Sequence, residues 1–415
     1  MICMKRPSRR PGVIFRIAVI AAFATACGAP QVIAADSPQP VPPSYFGVHM
    51  IHLFDSHHAA WPSVPIGTQR LWDTGIQWVD IESSPGNFDF SRMDAQVALA
   101  RQHGAAVLYT LGQTPPWASS DPNEPCYYGP GRCAPPYDSS SSWQWYVQSV
   151  AMRYKGQIEA YEIWNEPNGP YWSGTMKQLV ELARIAASTI HAVDPSALVV
   201  GPAITGYLGG SGITYLDELL NAGLGDAIDV VSYHCYLEAS NSPEDLIILT
   251  REIRRTMESH GVYKPLWDTE SNWHGRTFPD DLAQAYVARD ALLHWCLGYA
   301  RRYWYAWDII GQPGLRFVQD DYATLAPAGI AYGTIQRWMR DATVTDCKPD
   351  NNNIWSATLQ KDGKATHVVW LAADSGAAPL AIPRAWGATQ QTDLYGNVSG
   401  IDGDIEVSAV PRLLS

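Results

Sequence analysis

The feature that most constrains this chain is an alternation of short apolar runs with helix-like stretches. Eight such alternations occupy roughly 280 residues, the length of one (β/α)8 TIM barrel. Runs apolar on both faces are typical of parallel strands covered by helices. The predicted strands are 46–50, 69–72, 106–111, 160–164, 197–201, 228–233, 265–269 and 303–307. The predicted helices include 92–103, 142–154, 176–193, 243–260 and 280–299. We therefore predict an α/β fold with a catalytic barrel over residues 44–340.

The pattern changes near Thr343, where helical periodicity ends. Short strand-like runs then alternate with Gly, Asp and Asn turns, at 354–359, 366–371, 380–383, 389–395 and 405–410. Turn residues at this spacing are typical of an antiparallel sheet. We predict a C-terminal accessory β-sandwich over residues 341–415, which residues preceding the first barrel strand could also join.

The N-terminus has the layout of an export signal. A basic start at Lys5–Arg10 precedes an apolar run at 17–26, and small residues follow at 32–35. This run is about half of the ~20 residues that span a bilayer, so no transmembrane segment is predicted. We predict a signal peptide at 1–35, a Pro-rich linker at 36–43, and a secreted or periplasmic protein. The export route and a lipid anchor at Cys27 are left open.

Cysteine usage agrees with an oxidising compartment. Cys126 and Cys133 bracket a Pro/Gly-rich loop and are predicted to form a disulfide. The pairing of Cys235, Cys296 and Cys347 is left open, and the odd count leaves at least one thiol unpaired within the mature chain. Neither His nor Cys residues recur at metal-ligand spacing, so no metal and no cofactor are predicted.

The composition narrows the range of partners. The net charge of -12 argues against a nucleic-acid partner, which requires clustered Lys and Arg. The chain contains 17 Trp and 21 Tyr but only 8 Phe. Trp and Tyr suit stacking on sugar rings, although they equally fill the core of a large barrel. A carbohydrate substrate is compatible with both observations, and the oligomeric state is left open.

Two glutamates follow predicted strands at the catalytic end of the barrel. Strand four ends in Trp164-Asn165-Glu166-Pro167, and strand seven ends in Asp268-Thr269-Glu270. Strands four and seven lie across a barrel from each other, so both carboxyls can face one cleft. Carboxyls about 5–5.5 Å apart suit a retaining glycosidase. The sequence predicts Glu166 as acid/base and Glu270 as nucleophile.

An ordered set of motifs resembles the clan A glycoside hydrolases, and most closely glycoside hydrolase family 39. Besides the two glutamate motifs, the set comprises Phe46-Gly47-Val48-His49, Arg70-Leu71-Trp72-Asp73, Thr114-Pro115-Pro116-Trp117-Ala118 and Ser232-Tyr233-His234-Cys235-Tyr236. The resemblance covers nearly the whole mature chain. It implies hydrolysis of β-xylosides, uronides, arabinose-containing glycans or bacterial exopolysaccharides, with exo or endo action left open.

The resemblance also implies roles around the two glutamates. Asn165 would bind the sugar 2-hydroxyl, and Arg70 would pair with Glu270 and keep it ionised. Tyr236 or Tyr233 would donate to Glu270, and strand alternation favours Tyr236. Glu166 is expected to stay protonated near neutral pH. The predicted walls of the sugar site are His49, His234, Trp117 and Trp307.

Other interpretations of these residues remain open. Glu162, Asp268, Asp308 and Glu82 are rival carboxylates, of which Glu162 is expected to be a buried structural group. Trp143, Trp145, Tyr171 and Trp172 could extend a binding cleft, whereas Trp72, Trp78, Trp295 and Trp338 are expected to pack. Alternative functions on the same barrel are a non-catalytic carbohydrate-binding protein and a transglycosylase.

Overall fold

The computed structural model describes residues 39–206, 210–273, 275–310 and 315–415. The predicted signal peptide, the candidate anchor Cys27 and the first residues of the linker (36–38) lie outside the described residues. None of the helices in the described ranges combines the length and the apolar character needed to cross a bilayer.

Eight parallel strands form a closed barrel, which confirms the predicted (β/α)8 fold. The fifth strand continues after a short break as Ile204–Thr205, which pairs with the sixth strand. A bridge between Val200 and Val230 closes the sheet at the same point. The strands are β1 Phe46–His49, β2 Thr68–Leu71, β3 Ala106–Leu111, β4 Ala160–Ile163, β5 Leu198–Val200, β6 Val231–His234, β7 Leu266–Ser271 and β8 Tyr299–Trp304.

The position of the last barrel strand was predicted wrongly. The expected run 303–307 is the apolar end of a strand that begins at Tyr299 and ends at Trp304. The hydrophobicity pattern did not reveal the whole strand, because two arginines interrupt its apolar run. Their charges are neutralised by partners that come close only in the folded protein. Arg301 pairs with Glu159, and Arg302 pairs with Asp290.

Helices follow every barrel strand except β1, after which residues 50–67 form an irregular loop. The helices of eight or more residues are α1 Ser91–Gln102, α2 Gln144–Arg153, α3 Met176–Val193, α4 Gly212–Asn221, α5 Leu246–Ser259, α6 Asp280–Cys296 and α7 Pro327–Met339. Helices α4 and α7 were not predicted from the sequence. A short turn of helix at Trp78–Ile81 precedes a small hairpin, Glu82–Ser84 with Asn87–Phe88.

The C-terminal residues form antiparallel sheets, as predicted. The strands are β9 Thr343–Pro349, β10 Ile354–Lys361, β11 Lys364–Leu371, β12 Ala377–Leu380, β13 Gln390–Thr392, β14 Val398–Gly400, β15 Ile405–Ser408 and β16 Arg412–Leu414. One sheet has the order β9-β10-β11-β16-β13-β14, and β12 pairs with β15. Pro40 bridges Thr343, so the chain before β1 also contacts this sheet. The exact domain bounds, 44–340 and 341–415, remain a prediction.

Helix α6 connects the barrel to the C-terminal sheets. It is buried along most of its length, with Tyr286 donating to Asp374 Oδ1 at 2.7 Å and Arg289 donating to the carbonyl of Ala373 at 3.1 Å. A disulfide joins its last residue, Cys296, to Cys347 in β9. The second disulfide is the predicted Cys126–Cys133 pair, and Cys235 is a buried free thiol.

An apolar layer fills the lower part of the barrel. Six neighbouring strands contribute one residue each: Leu108, Ala160, Val200, Val230, Trp267 and Tyr303. Strand β1 contributes Gly47, where a Cβ would lie 2.5 Å from Cδ1 of Tyr303 and 2.6 Å from Oγ1 of Thr68. The missing side chain therefore leaves room for the Tyr303 ring, and the layer is closed below the functional end of the barrel.

Gly47→Ala is expected to destabilise the protein by about 1–3 kcal/mol, because the added methyl overpacks this layer. The measurement is the free energy of unfolding in urea. Gly400→Ala is the matched control, since its Cβ would meet no atom within 4 Å, and its effect should stay within about 0.5 kcal/mol. Equal effects of the two substitutions would contradict this account of the barrel interior.

Candidate active site

A β-bulge at the end of β7 turns Glu270 into the barrel. In a regular strand, residues two apart point to the same face, which would align Glu270 with Asp268. The register with β8 shifts between Asp268 and Ser271, as expected for a bulge that redirects a side chain. Asp268 consequently contacts His294 on helix α6, whereas Glu270 contacts Arg70 on β2.

Backbone strain accompanies Glu166 at the end of β4. Trp164 and Glu166 have φ angles of 64° and 45°, in the left-handed region that costs about 1–3 kcal/mol for each non-glycine residue. Hydrogen bonds hold this geometry: the Glu166 amide donates to the carbonyl of Ala203 at 2.8 Å, and the Trp164 amide donates to Leu111 at 2.8 Å. The neighbouring barrel strands thus fix the direction of the Glu166 side chain.

The structure brings the two glutamates together at the barrel mouth. One carboxylate oxygen from each of Glu166 and Glu270, together with a ring nitrogen of His234, lie within 4.8 Å of one another. The side chains of Glu166 and Glu270 are 14% and 8% exposed, so both reach the surface of the cleft.

Arg70 is the positive charge beneath this pair. It is fully buried, and its guanidinium donates to three acceptors: Glu162 Oε2 at 2.7 Å, Glu270 Oε2 at 2.8 Å and Asn165 Oδ1 at 2.7 Å. Only arginine presents donors in such a fork. Tyr236 donates to the other oxygen of Glu270 at 2.8 Å. Tyr233, the alternative donor, has its hydroxyl beside Gly206 and Gly212 instead.

Glu166, Glu270 and His234 are close enough to shift one another's pKa. Burial acts to raise the pKa of Glu166, but the hydrogen bond and positive charge of His234 outweigh it and lower that pKa. Burial raises the pKa of Glu270 to about 7, against the positive charge of His234. Burial acts to lower the pKa of His234, but the charges of Glu270 and Glu166 outweigh it and raise that pKa.

The lowered pKa of Glu166 runs against the expectation that this residue itself holds a proton near neutral pH. His234 Nδ1 lies 2.9 Å from Glu166 Oε1, within hydrogen-bonding distance. The raised pKa of His234 and the lowered pKa of Glu166 both favour a proton on the imidazole over one on the carboxylate. The sequence could not show this, because the effect depends on a contact between residues 68 positions apart.

The two predicted histidine walls lie beneath the carboxylates instead of facing the cleft. His49 and His234 are both fully buried. His49 Nε2 lies 3.0 Å from the carbonyl of Thr269, next to Glu270 in sequence. Burial and the Arg70 charge lower the pKa of His49, so its ring is neutral. The positions of the two histidines allow them to orient the carboxylates.

The two predicted tryptophan walls also pack against protein. Trp307 is 1% exposed and contacts Phe317 and Tyr332, a core position instead of the open ring face that sugar stacking requires. Trp117 is half-buried against Trp78, and its indole donates to the carbonyl of Glu82 at 2.9 Å. Trp143 and Trp172 are buried as well, whereas Trp145 is 52% exposed.

The rival carboxylates have structural partners. Glu162 accepts from Thr110 and Ser232, both at 2.8 Å, in addition to Arg70. Asp308 accepts the amides of Ile51 and His52 at 2.9 and 2.7 Å and so anchors the loop after β1. Glu82 accepts the Trp78 indole at 2.7 Å.

Sequence reasoning missed an Asp73–Tyr305 pair in the site. Tyr305 donates to Asp73 Oδ2 at 2.9 Å, and its ring lies 5.0 Å from that of His49. Burial raises the pKa of Asp73 despite this hydrogen bond. Asp73 was detectable as the first polar residue after β2, but Tyr305 was hidden inside the misplaced strand prediction.

Three groups of potential metal ligands occur in the part of the chain that the structure describes. They are Glu166, His234 and Glu270; Cys235, Asp268 and His294; and His52, Asp55 and His57. In the last group, Asp55 already accepts from both histidines, at 2.6 and 3.1 Å. The expectation that the protein needs no metal or cofactor stays a prediction.

Comparisons with known proteins agree with this geometry. No family model matches the sequence. A β-xylosidase of Caldicellulosiruptor saccharolyticus is 29% identical over 126 residues, which are 28% of this chain and 25% of that protein. The match therefore spans about a quarter of the length of this curated relative.

Solved structures match over almost the whole chain. A family 39 glycoside hydrolase of Bacteroides cellulosilyticus WH2 superposes with a TM-score of 0.71 at 17% identity, covering 92% of this chain and 82% of that one. The family 39 enzyme of Xanthomonas axonopodis pv. citri gives 0.64 at 17% identity, covering 96% and 99%. The family 39 β-xylosidase of Caulobacter crescentus gives 0.63 at 16% identity, covering 92% and 97%. The chain has the fold of the family 39 glycoside hydrolases.

Behind Glu270, this fold contains a buried cluster of charges. Asp268 accepts from the backbone amides of Glu270 and Cys235, each at 3.2 Å, and lies 2.9 Å from His294 Nε2. Burial acts to lower the pKa of His294, but Asp290 and Asp268 outweigh it and raise the pKa to about 9. The imidazolium thus stabilises the aspartate that holds the bulge.

The pKa of His294 predicts a pH-dependent stability. Because its pKa is raised from 6.5 to about 9 on folding, its contribution is complete below pH 6.5 and is lost as the pH rises through 9. Full loss corresponds to roughly 3 kcal/mol. Urea unfolding of the wild type between pH 6 and 9.5 should show this decline.

His294→Gln should be less stable at pH 6 and show a much smaller decline. His191→Gln, a substitution of a half-exposed surface histidine, is the control and should keep the wild-type decline. Identical slopes for the wild type and His294→Gln would show that this cluster does not carry the pH dependence.

Proposed function

We propose that this protein is a retaining glycoside hydrolase in which Glu270 is the nucleophile and Glu166 is the acid/base. The observation that carries the proposal is the approach of the two carboxylates to within 4.8 Å across one barrel mouth. Retaining glycosidases hold their carboxyls about 5–5.5 Å apart, whereas inverting enzymes need about 6.5–9.5 Å to admit a water. This spacing favours direct attack by a carboxylate.

In the first step, a Glu270 oxygen attacks the anomeric carbon while the glycosidic C–O bond breaks. The electron pair of that bond goes to the leaving oxygen, which takes a proton from Glu166. Glu166 in turn receives the proton held by His234 at 2.9 Å. The products are a glycosyl ester on Glu270, a free alcohol, an ionised Glu166 and a neutral His234.

In the second step, a water oxygen attacks the same anomeric carbon and the ester bond to Glu270 breaks. Glu166 accepts the proton of the water and returns it to His234, so the starting protonation is restored. Two inversions at one carbon give overall retention. Transglycosylation would follow the same route with a sugar hydroxyl in place of water, and product analysis distinguishes the two.

Arg70, Tyr236 and Asn165 have supporting roles in this mechanism. Arg70 and Tyr236 donate to different oxygens of Glu270, which stabilises its ionised form and fixes its direction. Asn165 Oδ1 accepts from Arg70 at 2.7 Å, which fixes the orientation of the amide and directs its NH2 group toward the Tyr128 hydroxyl at 3.5 Å. Asn165 is therefore proposed to bind the 2-hydroxyl.

The substrate and location are proposed from the comparisons and from the cysteines. Two of the similar proteins are β-xylosidases, so β-xylosides are the first substrates to test. The two disulfides support an oxidising compartment, in agreement with the predicted export signal. A non-catalytic carbohydrate-binding role is disfavoured, because binding alone does not require two carboxylates at this spacing.

Glu270→Ala is expected to reduce turnover of aryl glycosides by about 10⁴-fold or more, because the covalent route is lost. The wild-type product, followed by NMR, should appear first as the retained anomer. Glu258→Ala, at an exposed position on α5, is the matched control and should keep full activity. First release of the inverted anomer would rule out the proposed nucleophile.

His234→Asn is expected to narrow the pH profile of kcat/KM from both sides. The acidic limb should move to higher pH, because the His234 charge that lowers the pKa of Glu270 is gone. The basic limb should move to lower pH, because the proton that is passed to the leaving oxygen is no longer held by an imidazole of raised pKa. His191→Asn is the control, and a parallel shift of both limbs would contradict proton sharing.

A further inference from the structure

A small loop closed by the Cys126–Cys133 disulfide carries two tyrosines to the edge of the catalytic cleft. The inner one, Tyr128, packs edge-on against Trp72 at 5.7 Å and accepts a 3.5 Å contact from the Asn165 amide at its hydroxyl. Burial raises the pKa of Tyr128, and the charges of Asp73, Glu270 and Glu166 raise it further. Tyr128 therefore lies next to Asn165, the residue that precedes the proposed acid/base Glu166.

The outer tyrosine of this loop extends the same surface into solvent. Tyr127 is 78% exposed, and its ring meets those of Tyr128 and Tyr171 at 5.5 Å, perpendicular to both. Tyr171 comes from the loop after β4 and lies 5.1 Å from Tyr128 at an angle of 32°. The three rings, here called the tyrosine platform, pack against one another, with Tyr128 next to Asn165 and Tyr127 in solvent.

The loop that carries the platform is held in place from several sides. Ser119 donates to the carbonyl of Gly131 at 2.8 Å, and the Ser173 amide donates to Cys133 at 3.0 Å. Gly131 has a φ of 75°, and a Cβ at this position would lie only 2.7 Å from Pro122, so the position suits glycine. An exposed aromatic side chain on a fixed support loses little entropy on binding a ligand.

We propose that the tyrosine platform binds a sugar unit adjacent to the glycosidic bond that is cleaved, with Tyr127 as its outermost stacking residue. A pyranose presents an apolar C–H face that suits an aromatic ring, and its hydroxyls suit the phenol groups at the ring edges. The ligand class is thus an oligosaccharide of two or more units. This inference rests on the proposed glycosidase function and adds a preference for chain length.

The test compares substrates of different length for one sugar. A panel of aryl monosaccharides, beginning with p-nitrophenyl β-xyloside, first identifies the sugar that the wild type hydrolyses. Values of kcat/KM are then measured for that aryl glycoside and for oligosaccharides of two to five units of the same sugar. Tyr127→Ala should lower kcat/KM for the longer substrates by roughly 2- to 12-fold, the loss expected from one stacking contact.

The controls separate stacking from general damage. The glycosyl fluoride of the same sugar, whose leaving group is too small to reach the platform, should be hydrolysed by Tyr127→Ala within about twofold of the wild-type rate. Tyr127→Phe should restore most of the loss, because the ring face is kept. Tyr263→Ala removes a tyrosine of similar exposure (81%) that precedes β7 at the opposite end of the barrel, and it should leave all substrates unaffected.

The outcomes also separate this inference from the proposed function. If the wild type hydrolyses these substrates but Tyr127→Ala shows no length-dependent loss of kcat/KM, the platform proposal is wrong. The proposed glycosidase function would then be unaffected. If the wild type turns over no aryl glycoside, binding of xylo-oligosaccharides of two to five units, measured by calorimetry, tests the platform by itself. Saturable binding that is weakened in Tyr127→Ala but not in Tyr263→Ala would support it, and absence of binding would overturn it.

Discussion

The site depends on one fully buried guanidinium. Arg70 lies on β2 and donates simultaneously to Glu162 on β4, Asn165 at the end of β4 and Glu270 on β7. Breaking a buried ion pair by removing one partner typically costs about 3–5 kcal/mol, since the remaining charge is left uncompensated. Arg70 thus fixes the spacing between strands on opposite sides of the barrel, and with it the distance between the two glutamates.

The strained backbone around the site lies at one end of the barrel. Asp73, Gln113, Trp164 and Glu166 follow β2, β3 and β4, and all four have positive φ angles without being glycine. The bulge in β7 lies at the same end. Below this end of the barrel the apolar layer is buried, and the Asp268–His294 cluster behind Glu270 is buried as well. Strained backbone persists only where the surrounding structure determines it, and the packed lower barrel provides that support.

The sequence predicted the barrel, most of its strands and the meeting of the two glutamates, because polar residues after apolar strands are visible as a local pattern. It misplaced β8, since Arg301 and Arg302 are neutralised by partners far away in the chain. For the same reason it missed Tyr305 and treated Trp307 as a cleft residue. It also treated His49 and His234 as walls, because a sequence does not show how deep a side chain lies.

By itself, the sequence determined the alternation of strands and helices and the change to β-structure after Thr343. It also determined the pairing of Cys126 with Cys133, which lie only seven positions apart. The tertiary structure decided the Cys296–Cys347 pair, the partners of Arg70 and the contact of His234 with Glu166. Periodicity and turns are local properties of a chain, whereas desolvation and charge pairing depend on groups that are distant in sequence, such as Arg70 and Glu270, which are 200 positions apart.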